Sequence, residues 1–387
     1  PPRPPLHAFT ECMAVLSDRS PIVPEAAGGV AVVSGEASLV VQTSFLGDVV
    51  LTTPLINELA RRGPVDVVVR PDAAALLADN PDVRHLVVYD KRGADRGVGG
   101  VWRVGRRLGA LGRPGERRTA YLAQGSPRSA ALALVAGCAE RVGFDTSRQA
   151  RALYTRVVRY RRERHHAERL WSLAAPVDRP EATPSAEELR PRLHPGAGER
   201  AAVDAVLDGL DGVGGGDGRA RGFVALAPGS VWATKRWPFF PELAARVAPR
   251  RPIVVTGGPG DRELAAAIAA AAPAGRVVDA TGRLSLLASA ELVGRAALLV
   301  TGDSAPQHLA SAVGTPTLTI FGPTVPAFGF GPLAPGSRTV GVEGLACRPC
   351  DGHGPARCPL VHWRCMRDQS PDAIADAVWA MLAGGAP

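Results

Sequence analysis

Residues 301–324 read TGDSAPQHLASAVGTPTLTIFGPT. They follow Ala296-Ala297-Leu298-Leu299-Val300, a continuous apolar run of the kind a buried parallel strand shows. The run stops at Gly302-Asp303-Ser304, and an apolar period of about 3.6 begins at Ala305, Leu309, Ala312 and Val313. Asp303 is a natural N-cap, and Pro306 is tolerated in a first turn, where its missing N–H costs nothing. Gly314-Thr315-Pro316 ends the helix, and Thr317 to Phe321 reads as the next strand. Strand, tight turn, helix, strand is one Rossmann-like unit, whose ligand position is the helix N-terminus, where the dipole favours an anion such as a diphosphate. In isolation, Asp303 would simply cap a helix and His308 would simply pack beneath it. A second polar turn, Gly322-Pro323-Thr324, ends the following strand, and two such turns make a crevice that suits a nucleotide.

Working outward, 387 residues are too many for one ordinary core and suit two domains. Apolar residues make up 46% and charged residues 21%, which are globular values. The chain has no run of 18 apolar residues, so no transmembrane helix is expected. Residues 1–37 lack a basic start followed by an apolar run, and are expected to be a flexible leader rather than a secretory signal.

The net charge of +8 is carried by arginine, clustered between Arg103 and Arg118 and between Arg151 and Arg169. Solvated faces account for many such arginines, while a function would be attraction to a polyanion or an anionic membrane surface. Aromatic interleaving and nucleic-acid motifs are absent, so anionic lipid or phosphorylated glycan is preferred over nucleic acid. Cys347, Cys350, Cys358 and Cys365 lie close together and open with C-x-x-C. Such a pair binds zinc if a second pair folds onto it, but the later spacings fit no standard zinc pattern. Buried or loop thiols are the expectation, without disulfides, in a reducing compartment.

In the first half, Leu39 to Gln42 reads as a short buried strand, and Thr43 to Asp48 as the turn after it. A helix follows with Val50, Leu51, Leu55 and Leu59 on one face, started or kinked at Pro54. Asp48 sits where turn meets helix, either as a structural cap or as a carboxylate facing a cleft and able to act as general base. Strands at Val65–Val69 and His85–Tyr89, helices near 73–78, 101–111 and 130–136, and a last strand at Arg141–Phe144 continue the alternation. That alternation predicts a parallel sheet covered on both faces. Its strand-end turns carry Asp48, Arg70, Asp90, Lys91 and Arg128 along one edge.

A helix is expected over His165–Leu173, and then Pro176 to Gly218 marks the passage between halves, loosest at Gly212–Gly216. The second half opens with the strand Phe223–Ala227 and the turn Pro228-Gly229-Ser230, followed by Thr234 and Lys235. A strand at Ile253–Thr256 ends in GGPGD, whose last residue is Asp261. The GxGxxG dinucleotide spacing is absent. Lys235 could simply be exposed, yet a lysine beside a strand-end turn can also neutralise phosphate.

Taken together, several motifs resemble those of the ADP-heptose:lipopolysaccharide heptosyltransferases, GT-B glycosyltransferases of family 9. They are TSFLGDVVLTTPL (43–55), DKRG (90–93), RSAALALVAG (128–137) with RVGFD (141–145), and HHAERLWSL (165–173). PGSVWATKRWP (228–238), TGGPGD (256–261), the opening stretch and CRPCDGHGPARCPLVHWRCM (347–366) complete the set. The resemblance runs from about residue 38 to 380, and KRWP with the cysteine-rich segment leans toward heptosyltransferase II.

The resemblance implies two Rossmann-like domains, α/β with parallel sheets, facing across a cleft. The first, at 38–185, would bind the acceptor. The second, at 221–370, would bind the ADP-sugar. A linker at 186–220 would join them, and a helix at 371–387 would cross back to the first domain. Asp48 becomes the candidate base. Ser230, Thr234 and Lys235 would contact the donor diphosphate, and Asp261 would lie near the nucleoside. Asp303, Ser304, Ala305 and His308, with Gly322 and Pro323, would hold the sugar-diphosphate. Ser44, Gly47, Arg70, Lys91 and Arg128, together with the Arg156–Arg169 cluster, are the acceptor-side candidates.

The implied reaction is inverting heptose transfer from ADP-heptose to heptosyl-Kdo2-lipid A. It would need no cofactor and no catalytic metal, since no DxD-like acidic pair is evident. The protein would be a monomer resting on the cytoplasmic face of the inner membrane. The rivals are a GT-B epimerase, transfer of another sugar to a cell-surface glycan, and a non-catalytic nucleotide- or glycan-binding protein. A nicotinamide dehydrogenase is the poorest of them, lacking the fingerprint.

Overall fold

The computed structural model describes residues 35–208, 210 and 222–384. The leader up to residue 34, the Gly212–Gly216 stretch and residues 385–387 lie outside the described residues.

Two six-stranded, wholly parallel sheets form the frame. The first contains β1 (Glu36–Val41), β2 (Val65–Val69), β3 (His85–Val88), β4 (Arg117–Leu122), β5 (Glu140–Phe144) and β6 (Arg156–Val158), in the order 3-2-1-4-5-6. The second contains β7 (Val224–Ala227), β8 (Ile253–Val255), β9 (Val277–Asp279), β10 (Leu298–Gly302), β11 (Thr317–Phe321) and β12 (Arg338–Gly341), in the order 12-11-10-7-8-9. Each sheet runs outward to one side, returns to the middle, and runs outward to the other. The strand order therefore reverses between β1 and β4, and between β7 and β10. A doubly wound sheet opens a crevice at such a point.

The helices of the first half are α1 (Leu46–Ala60), α2 (Gly97–Ala110), α3 (Pro127–Val135), α4 (Arg148–Arg151) and α5 (His166–Trp171). Next come α6 (Ala186–Leu189), α7 (Ala197–Leu207), α8 (Phe240–Val247), α9 (Arg262–Ala270) and α10 (Leu286–Arg295). The last are α11 (Ala305–Val313), α12 (Arg364–Arg367) and α13 (Pro371–Gly384). The opening stretch is β10–α11–β11, and Gly314 ends the helix with φ 78°, a conformation glycine adopts without a Cβ penalty. Pro54 lies inside α1 and neither starts nor ends it. Proline has no N–H for the carbonyl of Val50, and the Thr53 hydroxyl donates to that oxygen instead at 2.8 Å.

Several boundaries differ from the sequence reading. Arg141–Phe144 is not the last strand of the first half, because β6 pairs beyond it. Its Arg156 donates to Glu140 and to the carbonyls of Leu173 and Ala175, a structural use of a residue expected among the acceptor-side candidates. The 186–220 range is not simply a linker, since α7 buries Val203, Val206 and Leu207 against Leu292 and Val293 of α10. The C-terminal helix does not cross to the first domain as its main packing partner. Ile374, Val378 and Met381 of α13 bury with Phe240 and Leu243 of α8, so the helix closes the second domain's own core.

The domains meet through α1 and α11. One apolar cluster contains Val49, Val50 and Leu55 of the first domain with Leu287, Leu309 and Ala312 of the second. This contact brings the turn after β1 to the turn after β10.

Candidate active site

Local geometry fixes Asp48. Phe45 is the N-cap of α1, and Asp48 occupies the third helical position, where the helix dipole favours a carboxylate. One of its oxygens, Oδ2, accepts from Ser44 Oγ at 2.6 Å and from the Phe45 N–H at 3.3 Å. The other, Oδ1, lies 3.5 Å from His166 Nε2. The Asp48 side chain is 17% exposed, enough for a substrate hydroxyl to approach it.

His166 was part of a recognised motif without an assigned role. It is buried, with Nδ1 3.4 Å from the Tyr160 hydroxyl and its ring beside Phe330. Burial, with Arg169 and His165 nearby, pushes its pKa down to about 3, so the ring facing Asp48 is neutral at neutral pH.

Across the cleft, Ser304 and not Asp303 is the N-cap of α11, and its side chain makes no capping hydrogen bond. Pro306 has no N–H and the Gln307 N–H donates to the Ser304 carbonyl at 3.2 Å, so the amides left for an anion are those of Ser304 and Ala305. Asp303 turns instead into the second domain. Its Oδ2 accepts from Lys235 Nζ at 2.7 Å and from Thr324 Oγ1 at 2.7 Å, and its Oδ1 accepts from Gln307 Nε2 at 2.8 Å. Gln307 Oε1 in turn accepts from Thr319 Oγ1 at 3.2 Å. Gln307 and Thr319 escaped the sequence reading, although a glutamine four residues after Asp303 lies on the same helix face. Asp303 thereby fixes the Lys235 ammonium. Gly302 leaves room for this, since a Cβ there would lie 2.6 Å from the Lys235 carbonyl.

His308 does not line the mouth of the α11 turn. Its ring packs on the first domain's Gly47, where a Cβ would stand 2.6 Å from Cδ2, and its Nδ1 has no hydrogen-bond partner among the described residues. Burial lowers its pKa, opposed by Asp303 and Asp48. Gly47 and His308 thus form a tight contact between the Asp48 turn and the first turns of α11.

The rest of the donor set divides. Ser230 Oγ accepts from the Trp232 N–H at 3.3 Å, and the Ser230 carbonyl accepts from Arg236, so this residue shapes the turn after β7. Thr234 donates to the Pro355 carbonyl. Asp261 accepts from the Gly258 N–H at 2.9 Å, and its carboxylate sits against Gly229 and Gly257, where either Cβ would collide with it. Gly322 and Pro323 are buried under the cysteine-rich segment, against Met366 and bonded to the Cys350 N–H at 2.8 Å. They are not open to a ligand in this state. The crevice consequently lies between the turns after β7 and β10, rather than between those after β10 and β11.

Cys347, Cys350, Cys358 and Cys365 are free thiols. Among the described residues no group of three or more His, Cys, Asp or Glu side chains is arranged to hold a metal. Their segment reaches across the cleft, with His353 5.8 Å from the Phe45 ring.

On the acceptor side, Lys91 Nζ donates to the Thr43 carbonyl at 2.6 Å. Burial first, then Arg70, Arg92 and Arg128, pushes the Lys91 ammonium below its ordinary value, which places four cations near one another. Arg70 is partly neutralised by Asp72. Arg128 sits in the first turn of α3, where the dipole disfavours a cation unless an anion joins it. The Arg156–Arg169 cluster is largely spent inward. Arg169 is 3% exposed and donates to the carbonyls of Arg161 and Phe328 and to the Tyr160 hydroxyl. A cavity of about 240 Å³ beside β6, lined in part by Arg159 and Arg161, is at the sheet's outer edge and away from Asp48.

The family model described as glycosyltransferase family 9 (heptosyltransferase) matches residues 104–357. The chain belongs to glycosyltransferase family 9. It is similar to lipopolysaccharide heptosyltransferase 1 of Pseudomonas aeruginosa, with 30% identity over 305 residues, 75% of this chain and 79% of that one. Among solved structures, a family 9 glycosyl transferase from Veillonella parvula superposes with TM-score 0.74 at 21% identity, covering 92% and 100% of the two chains. The E. coli ADP-heptose lps heptosyltransferase II gives 0.70 at 22% identity, covering 90% and 99%. Both heptosyltransferase types are thus among the relatives of this family 9 chain. It is a glycosyltransferase with the GT-B arrangement of two facing Rossmann-like domains.

Proposed function

We propose that this glycosyltransferase moves heptose from ADP-heptose to the inner core of lipopolysaccharide, with inversion at the anomeric carbon. The observation that carries the reading is the opposition of Asp48 to the uncapped α11 N-terminus and Lys235, fixed by the Gly47–His308 contact. Family membership and the name of the Pseudomonas relative support the choice of sugar and acceptor.

Asp48 Oδ1 takes the proton of the acceptor hydroxyl as that oxygen bonds to the anomeric carbon. The bond from that carbon to the β-phosphate oxygen breaks on the opposite face, and ADP leaves with the electron pair. Charge grows on the diphosphate, where Lys235 and the α11 amides stabilise it more in the transition state than in the ground state. Ser44 and His166 hold the carboxylate in place. Lys91, Arg92 and Arg128 face the phosphates and carboxylates of the acceptor. The donor's own charge is met by protein cations and amides, so transfer is expected to need neither cofactor nor divalent metal. We place the enzyme on the cytoplasmic face of the inner membrane, because its acceptor is lipid-linked.

The test is transfer from ADP-L-glycero-D-manno-heptose to heptosyl-Kdo2-lipid A, with EDTA present. Acceptor-dependent release of ADP is expected. ADP release without acceptor would replace transfer by hydrolysis or epimerisation.

A further inference from the structure

The outward face of α2 does nothing for the fold or the proposed chemistry. Val101, Val104 and Leu108 of this helix are buried in the first domain's core. Val98 and Trp102, four residues apart on the opposite side, are 85% and 61% exposed. Arg106, one further turn along, holds its guanidinium 5.9 Å from the centre of the Trp102 ring. Leu134 of the adjoining α3 is also exposed.

An exposed tryptophan beside two exposed aliphatic side chains is an apolar face without a partner inside the chain. Its surroundings are strongly cationic. Residues 91–113 contain seven basic residues and one acidic residue, Asp95, which is paired with Arg103 at 2.8 Å. The occupant therefore has to accept an indole and several arginines together, and so has to be apolar and anionic.

We propose that this face docks the enzyme on an anionic phospholipid bilayer, with Trp102 and Val98 entering the headgroup layer and Arg96, Arg103 and Arg106 meeting the lipid phosphates. A helix of 14 residues is too short to span a bilayer and suits one lying in its surface. Tryptophan places an apolar ring and a polar N–H across that boundary, and arginine side chains next to it gain from the negative surface potential. The Lys91–Arg92 turn directly precedes α2, so docking here presents the acceptor-side cations to molecules anchored in the same membrane. This assignment rests on the reading of a lipid-linked acceptor.

The experiment is co-sedimentation of the full chain with phosphatidylethanolamine vesicles containing about a quarter phosphatidylglycerol, against phosphatidylcholine vesicles. Wild type is expected to bind the anionic vesicles and to be released by salt. Removing Arg103 and Arg106 (R103S/R106S) weakens binding about fivefold per charge, and Trp102→Ser weakens it further. Brominated lipid in the anionic vesicles should quench part of the fluorescence of the six tryptophans, and Trp102→Phe should abolish that part. Equal binding by wild type and the arginine variant, or undiminished quenching in Trp102→Phe, overturns the proposal. A lipid-free dimer that Trp102→Ser dissociates also overturns it, assigning the face to a second copy. Transfer to a deacylated, water-soluble acceptor is measured alongside. Its failure with vesicle binding intact counts against the proposed chemistry, not against the docking face.

Discussion

Asp48 divides its two oxygens, one held by Ser44 and Phe45 and one turned to His166 and the cleft. Replacing it with alanine removes the proton acceptor while Ser44 and His166 remain, so kcat is expected to fall by roughly a hundredfold or more with little change in donor affinity. A matched loss of donor affinity would assign Asp48 to binding. Lys235 and Asp303 require a different comparison. Lys235→Ala removes a cation from the departing diphosphate, and kcat/KM should fall by about 10²-fold or more. Asp303→Asn keeps the shape and the Thr324 and Gln307 neighbours but frees the Lys235 ammonium. If Asp303 acts through Lys235, the double variant loses no more than Lys235→Ala alone. Additive losses in steady-state kinetics would show that Asp303 contacts substrate independently.

At the scale of elements, the Asp48 turn and the α11 turn meet at one contact without spare room. Gly47→Ala would put a methyl group 2.6 Å from the His308 ring. The pair must then part, at a cost of about 1–3 kcal/mol, and catalysis should fall along with stability because the two turns lose their spacing. His308→Ala in the same background should restore much of both. Unchanged thermal unfolding and activity in Gly47→Ala would show that the domains do not close on this contact. The turns themselves were legible in the sequence, because a buried apolar run ending in Gly, Asp or Ser before a 3.6 period is a local signal. What was not legible depends on partners far along the chain. The strand β6 is three residues long and hidden among arginines, and the helix expected to cross back to the first domain, α13, instead buries its Ile374, Val378 and Met381 with α8. Asp303 read as an N-cap because sequence gives position but not the direction of a side chain. Lys235, 68 residues away, decides that direction.

Over the whole molecule, three histidines at the junction of the two domains, His165, His166 and His308, are held neutral by burial, and this gives the protein an acid limit. Burial pushes His165 down to about 4 and His166 to about 3, and lowers His308 in the same sense. Unfolded, each would titrate near its ordinary value of 6.5. Between these values the unfolded chain binds more protons than the folded one, so stability is complete above about pH 6.5 and declines as pH falls through the window. The slope approaches about 1.4 kcal/mol per pH unit for each such histidine. Asp66, the buried carboxylate held low by Arg84 and Arg118, is likewise lowered on folding, but from an ordinary value of 3.8, so its contribution is lost only as pH falls below about that value. It therefore leaves the histidine window clear. Urea midpoints are expected to decline steadily between pH 7 and pH 5, and His166→Gln, which cannot titrate, should reduce the slope. Because His166 and His308 join the two halves of the cleft, activity should fail at a higher pH than secondary structure does. A urea midpoint that stays level to pH 5, or a slope unchanged by His166→Gln, would mean that these histidines are solvated in solution and do not tie acid stability to cleft closure.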